Sequence, residues 1–196
     1  MAATCPTIPA ARNATDIAPT AQFAEHGLDG TTVERIARHA GINKERLYNY
    51  FGDKAQLFAL VLATQLNELA AAVPLEEIQE PADVGRYASA VFDYHQEHPQ
   101  LSRLLLWEGL AGLAEVPDED TRSGYYARKV ATFAAAQAQG RIDDTLPAAD
   151  LAFLVIALAV WWHAVPQMAR MLHAGQPQDI GPRDSIATAA TKLATP

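Results

Sequence analysis

Lys44, Glu45, Arg46, Tyr48, Asn49 and Tyr50 place six side chains able to make directed polar contacts within seven residues. Lysine and tyrosine suit phosphate oxygens, arginine can bond guanine at two points, asparagine can do the same with adenine, and glutamate accepts from cytosine. The arrangement therefore predicts Arg46 on a guanine, Asn49 on an adenine and Glu45 on a cytosine, with Lys44, Tyr48, Tyr50 and Lys54 on phosphates. Thr32, Arg35, Arg38 and Asn43 complete a candidate DNA-binding set.

Patterns for other chemistry are weak. The chain has no Gly-x-Ser-x-Gly elbow and no His-Glu-x-x-His. His95 and His98, with Asp93 and Glu97, share one helical stretch but lack a Cys/His cluster, so they read as solvated residues at a helix end rather than metal ligands. No motif supports an enzyme, and no metal or cofactor is expected. An aromatic set in the second half, Trp107, Tyr126, Phe133, Trp161 and Trp162, offers flat apolar faces with indole donors, suited to lining a small-molecule site. Glu108 or His163 would be its polar anchor, since a buried polar group in an apolar helix needs a partner. Taken singly, each of these reads first as a core residue. Trp161 and Trp162 are adjacent on a helix and point about 100° apart, so only one of them can face such a site squarely.

The elements that must position the first group are legible upstream. Thr31 has Glu34 three residues on, which predicts a helix cap there. Val33, Ile36, Ala37 and Ala40 then share one helical face, and Gly41 suits the left-handed position that ends a helix. Asn43 offers a second cap, the helix over 44–50 has about two turns before Gly52, and Leu47 and Phe51 face inward. Asp53 can cap a third, long amphipathic helix over 54–72.

The ordered series Phe23-Ala24-Glu25-x-Gly27, Thr32-Val33, Ile36-Ala37, Ala40-Gly41-Ile42, Lys44, Leu47-Tyr48, Tyr50-Phe51-Gly52 and Lys54 resembles the DNA-binding domain of the tetracycline-repressor (TetR) family. The resemblance implies a helix-turn-helix reader, a body that admits a small effector, a homodimer, and a near-palindromic double-stranded operator read in successive major grooves. It also implies repression relieved by ligand. One departure is Pro19, which falls where relatives carry a continuous helix and predicts either a helix start or a kink there. Another is the basic arm before that helix, here reduced to Arg12.

Charge fits this division. The chain of 196 residues is 49% hydrophobic and carries a formal charge of -8. Between residues 31 and 54, Arg35, Arg38, Lys44, Arg46 and Lys54 face Glu34, Glu45 and Asp53, a local excess of +2 that leaves -10 on the remainder. An acidic body favours a neutral or cationic effector over an anion. The single cysteine, Cys5, cannot form an internal disulfide, the start has no secretory pattern, and the longest uncharged apolar run, 151–162, is too short to span a bilayer. A cytoplasmic protein without membrane attachment is expected.

The expected fold is all-α, with about nine helices: a three-helix reader over 12–54 after a disordered arm at 1–11, then an effector-binding and dimerisation bundle over 55–196. The stretch from Ala148 to Ala174 is apolar nearly all round through Trp162, and with the small residues Ala187, Ala189, Ala190 and Leu193 it predicts half of a four-helix dimer interface. Two readings from other classes are a helical-bundle enzyme or carrier for an apolar molecule, and a protein-protein adaptor without DNA binding. Under the DNA reading, Arg46→Ala is expected to relax preference at one base pair by about 1–3 kcal/mol. A binding selection from randomised duplexes measures this, and unchanged base preference would remove Arg46 from the reading set.

Overall fold

The computed structural model describes residues 12–112, 119–175 and 180–196, without the side chains of residues 12–17, Arg46 and Tyr50. The expected arm at 1–11, with Cys5, lies outside the described residues. Ten helices and no strand occur among those described, in two compact units.

The first unit spans residues 1–64 and 103–117. It holds α1 (Arg12–Gly30), α2 (Val33–Ala40), α3 (Lys44–Phe51), the first part of α4 (Lys54–Ala72) and the second part of α6 (Pro99–Ala111). Pro19 does not start α1; it is buried and the helix continues through it. The cost is the one amide bond that residue 19 would have given to Thr15. The break comes instead at Gly27, at φ 69° and ψ -174°, a conformation open to glycine and few other residues. Phe23 meets Phe58 edge to face with ring centres 5.2 Å apart, and Ile36, Leu47 and Leu62 are buried in the same unit.

The second unit spans residues 65–102 and 118–196. It contains the end of α4, α5 (Pro81–Glu97), the first turn of α6, α7 (Glu119–Ala138), α8 (Ala148–Ala164), α9 (Pro166–Leu172) and α10 (Pro182–Ala194). α5 packs on α8 and α10, and α7 on α8. Gly85 permits the closest approach: a Cβ there would stand 2.6 Å from the Ala187 carbonyl oxygen and would also meet Thr191 Oγ1. The C-terminal helix is fastened by the Asp143 amide, which donates to the Ala194 carbonyl at 2.9 Å.

The run expected as one helix from Ala148 to Ala174 is two, bent by 88° at Val165. Pro166 has no amide to continue the ladder and disfavours helical backbone at the residue before it. This break brings the count to ten. Along α8, Leu151, Ala152, Val155 and Ala159 are buried, whereas Phe153, Leu154 and Trp161 are exposed. On α10, Ile186, Ala190 and Ala194 form the buried face, so Ala190 belongs to the unit's own core. By length and composition alone α4 could cross a membrane, but its Leu57, Phe58, Val61 and Leu62 are buried within the protein.

The expectation of solvated histidines at the end of α5 is corrected. His95 is 1% exposed and shares a 2.8 Å hydrogen bond between Nδ1 and Ser102 Oγ. His98 is half-buried and stacks on Tyr94 with ring centres 4.0 Å apart. α5 packs against α8 and α10, and His95 falls on its covered side while Arg86, Gln96 and Glu97 stay exposed. Burial first, then the neighbouring His163 and His98, pushes the His95 pKa down from 6.5 to about 4. A folded-state pKa below the unfolded one means that stability is complete above pH 6.5 and is lost as pH falls toward 4. Between pH 7 and pH 4.5 this group should remove about 2–3 kcal/mol from the unfolding free energy. Urea melts of wild type and His95→Gln at the two pH values check it: the variant should show a smaller acid loss by that amount.

Candidate nucleic-acid interface

The turn between α2 and α3 is built from caps. Thr32, with extended backbone at φ -119° and ψ 148°, accepts the Arg35 amide on its Oγ1 at 3.2 Å. The cap is thus one residue later than the sequence suggests. Thr31 is buried instead, its hydroxyl donating to the Gln22 carbonyl at 3.1 Å. Gly41 ends α2 in the left-handed region at φ 65°, and the Ile42 amide donates back to Ala37 at 3.0 Å. Asn43 caps α3 by accepting the Glu45 amide at 2.8 Å, and Asp53 caps α4 by accepting the Gln56 amide at 2.8 Å.

With Leu47 2% exposed, α3 is held by one buried edge. Lys44, Glu45, Tyr48 and Asn49 are exposed around the rest, as are Thr32, Arg38 and Asn43. Arg46 and Tyr50 lie on α3, their side chains outside the described set. Three of the cations predicted for DNA already have partners. Lys44 pairs with Glu34 across the turn and sits 5.6 Å from the Tyr48 ring centre. Arg35 donates from Nη1 to the Gly30 carbonyl at 3.3 Å, and Lys54 donates from Nζ to the Thr31 carbonyl at 3.1 Å. His39, absent from the predicted set, is exposed beside Arg38 and donates from Nδ1 to the Arg35 carbonyl at 2.8 Å.

The residues expected at a ligand are distributed over both units. Trp107 and Glu108 lie on the part of α6 in the first unit, both half-buried. The Trp107 indole N–H donates to the Ala24 carbonyl at 3.2 Å, a bond between residues 83 apart in the chain that no local pattern announces. In the second unit Phe133 is 1% exposed, Tyr126 and Trp161 are exposed, and Trp162 is half-buried with its ring 5.2 Å from that of His173. His163 donates from Nε2 to the Phe92 carbonyl at 3.1 Å, lies 4.6 Å from the Phe92 ring, and is 6.1 Å from His95. Desolvation lowers its pKa. An open cleft of about 280 Å³ in the same unit is lined by Val73, Leu75, Glu77, Asp83, Arg86 and Tyr87 among others, and none of the predicted ligand residues borders it. Its carboxylates Glu77 and Asp83 are paired with Arg141 and Arg86.

Residues 18–61 match the family model described as bacterial regulatory proteins, tetR family, and residues 83–192 match the tetracyclin repressor-like C-terminal domain. The chain is similar to the HTH-type transcriptional repressor SCO4008 of Streptomyces coelicolor, with 44% identity over 178 residues, 90% of this chain and 91% of that one. It is 35% identical over 103 residues to the transcriptional regulator RutR of Escherichia coli, half of this chain and 48% of that one. Among solved structures, the transcriptional regulator SCO4942 of Streptomyces coelicolor matches with a TM-score of 0.77 at 30% identity, covering 94% of this chain and 98% of that one.

The Lys44–Glu34 pair is the feature of this surface with a direct energetic consequence. Any phosphate contact by Lys44 must compete with Glu34 for the ammonium and bring a second anion beside that carboxylate, whose pKa the same hydrogen bond holds below its ordinary value. Glu34→Gln should therefore strengthen binding to any duplex severalfold at low salt and steepen the salt dependence by about one counterion. Titrations at 50 and 200 mM salt read both quantities, and an unchanged slope would place Lys44 away from the phosphates.

Proposed function

The chain belongs to the TetR family of transcriptional regulators, and from that premise we propose that it is a ligand-responsive repressor that binds a near-palindromic operator as a homodimer in the cytoplasm. It is a regulator, not an enzyme. The observation that carries the operator reading is α3 itself, the second helix of the turn, with Leu47 buried and Lys44, Glu45, Tyr48 and Asn49 presented to solvent. Arg46, Asn49 and Glu45 are assigned to base edges, and Lys44, Tyr48, Tyr50 and Lys54 to the phosphates. The working division is a reader over 12–54 and an effector and dimer region over 55–196.

For the dimer, the support is α8. Its exposed side carries Phe153, 71% exposed, with Leu154 and Trp161, and an apolar face of that kind on a helix already packed on its other side calls for a protein partner. A second copy of α8 is the occupant the family suggests. For the effector, the support is the cluster of Phe92 and His163 with buried His95 in the second unit, where imidazoles offer polar points beside an aromatic face; Trp162, next to His163 in the chain, is the proposed tandem-tryptophan lining. A flat ligand, neutral or cationic, is the class proposed, with Tyr126 and Phe133 as further lining.

Selection from randomised duplexes tests the function: an inverted repeat with half-sites about 10 base pairs apart, or a multiple of that, should be enriched. Failure to enrich any duplex would overturn it. Phe153→Asp, which changes an exposed position and spares the core, should convert a sedimenting dimer to a monomer and lower operator affinity by at least tenfold, because a desolvated unpaired charge costs several kcal/mol. A tight Phe153→Asp dimer would move the interface off α8.

A further inference from the structure

Within the first unit, α6 contributes two donors one helical turn apart, Arg103 and Trp107, that converge on one backbone oxygen. Arg103 Nε donates to the Ala24 carbonyl at 2.6 Å and Trp107 Nε1 donates to the same oxygen at 3.2 Å, while Arg103 Nη2 reaches the Glu25 carbonyl at 3.4 Å. A carbonyl has two lone pairs and can serve both donors. The Trp107 ring lies where a side chain of residue 27 would stand: a Cβ on Gly27 would be 2.7 Å from Trp107 Cδ2 and Cε3. Gly27 is thus required twice, for its positive φ and for the room it leaves the indole.

We propose that Arg103 and Trp107 form a clamp on the kinked end of α1 and are positioning residues for operator binding. The proposal rests on the operator reading given above and extends it to residues on α6 that touch no DNA. Ala24 stands eight residues before Thr32, the cap of α2, and the chain just ahead of that cap is pinned at Gly30 and Thr31. Thr31 donates to Gln22, Lys54 to Thr31, and Arg35 to Gly30. A displacement at Ala24 therefore reaches the start of α2 rather than being absorbed in a slack loop. α2 and α3 are eight residues each, too short to define their own direction, so the direction of the reading helix rests on this anchor as well as on its buried Leu47. Trp107 has its N–H occupied and its ring enclosed against backbone, which suits an anchor better than a surface offered to a ligand.

The clamp is tested with the duplex that the wild-type protein selects from a random pool. Trp107→Phe keeps an aromatic ring and removes the donor; Arg103→Met keeps much of the stem and removes both donors; Arg103→Lys keeps a donor and the charge. Trp107→Phe and Arg103→Met are expected to bind the selected duplex roughly tenfold more weakly, at a temperature where far-ultraviolet circular dichroism shows each folded. Their salt slope should be unchanged because no phosphate contact is lost, and Arg103→Lys should recover most of the affinity. Wild-type affinity in both weakened variants would overturn the clamp while leaving the operator reading intact. A slope reduced by about one in Arg103→Met would also overturn it, since Arg103 would then be a phosphate ligand. A wild-type protein that selects no duplex would overturn both readings. Arg103 is exposed, so its variants decide the matter even if Trp107→Phe proves too unstable to measure.

Discussion

An eight-residue helix cannot hold its own shape or direction in water, and the reader of this protein is made of two of them. What seats α3 on the protein is the burial of Leu47, in a unit whose core also holds Ile36, Phe23 and Phe58. A fully buried side chain of this size contributes about 1.5–3 kcal/mol, comparable with everything the caps of α2 and α3 supply at about 1 kcal/mol each. The polar face can be devoted to DNA because one apolar edge suffices to seat the helix. This explains why so few residues of α3 are constrained by the fold and so many are left to chemistry.

How much of this could be read in the chain depends on the range of the interactions. Gly41, Asn43 and Asp53 were legible because each acts on residues within four positions of itself, and the bounds of α4 followed from Asp53 and its apolar periodicity. Thr31 and Thr32 were exchanged because either hydroxyl could cap α2, and the choice is made by the Gln22 carbonyl nine residues away. His95 looked solvated among Asp93, Gln96 and Glu97, yet its position on α5 turns it toward α8 and Ser102. Trp107 was legible as an aromatic with an indole donor and was read as ligand lining, but its acceptor was not legible, since the Ala24 carbonyl lies 83 residues upstream. In each case the sequence carries the side chain's capacity and tertiary contact decides its use.

The two units handle charge and apolar surface differently. In the reader, cations are held near neutral pairings, Lys44 with Glu34 and others with backbone carbonyls, so the local excess of positive charge is partly spoken for before any nucleic acid arrives. Binding then exchanges partners and releases less net energy than the count of cations would suggest, which favours discrimination over indiscriminate affinity. In the other unit the opposite economy holds. Exposed apolar area is kept on α8, and desolvation lowers the pKa of His95 and His163.

The meeting of α5 and α10 at Gly85 has a consequence for how the chain can vary. Every single-base change in a glycine codon that puts a different amino acid there adds a Cβ. Here that atom would meet the backbone oxygen of Ala187 at 2.6 Å as well as the Thr191 hydroxyl. Trimming Thr191 to a smaller residue would relieve only one of the two collisions, because a carbonyl oxygen is present whatever residue occupies position 187. No second substitution at 187 can therefore prepare the way for a first at 85. The site resists stepwise change, and in descendants of this chain the backbones of the two helices would have to move apart around residues 85 and 187 before any other residue could be accommodated there.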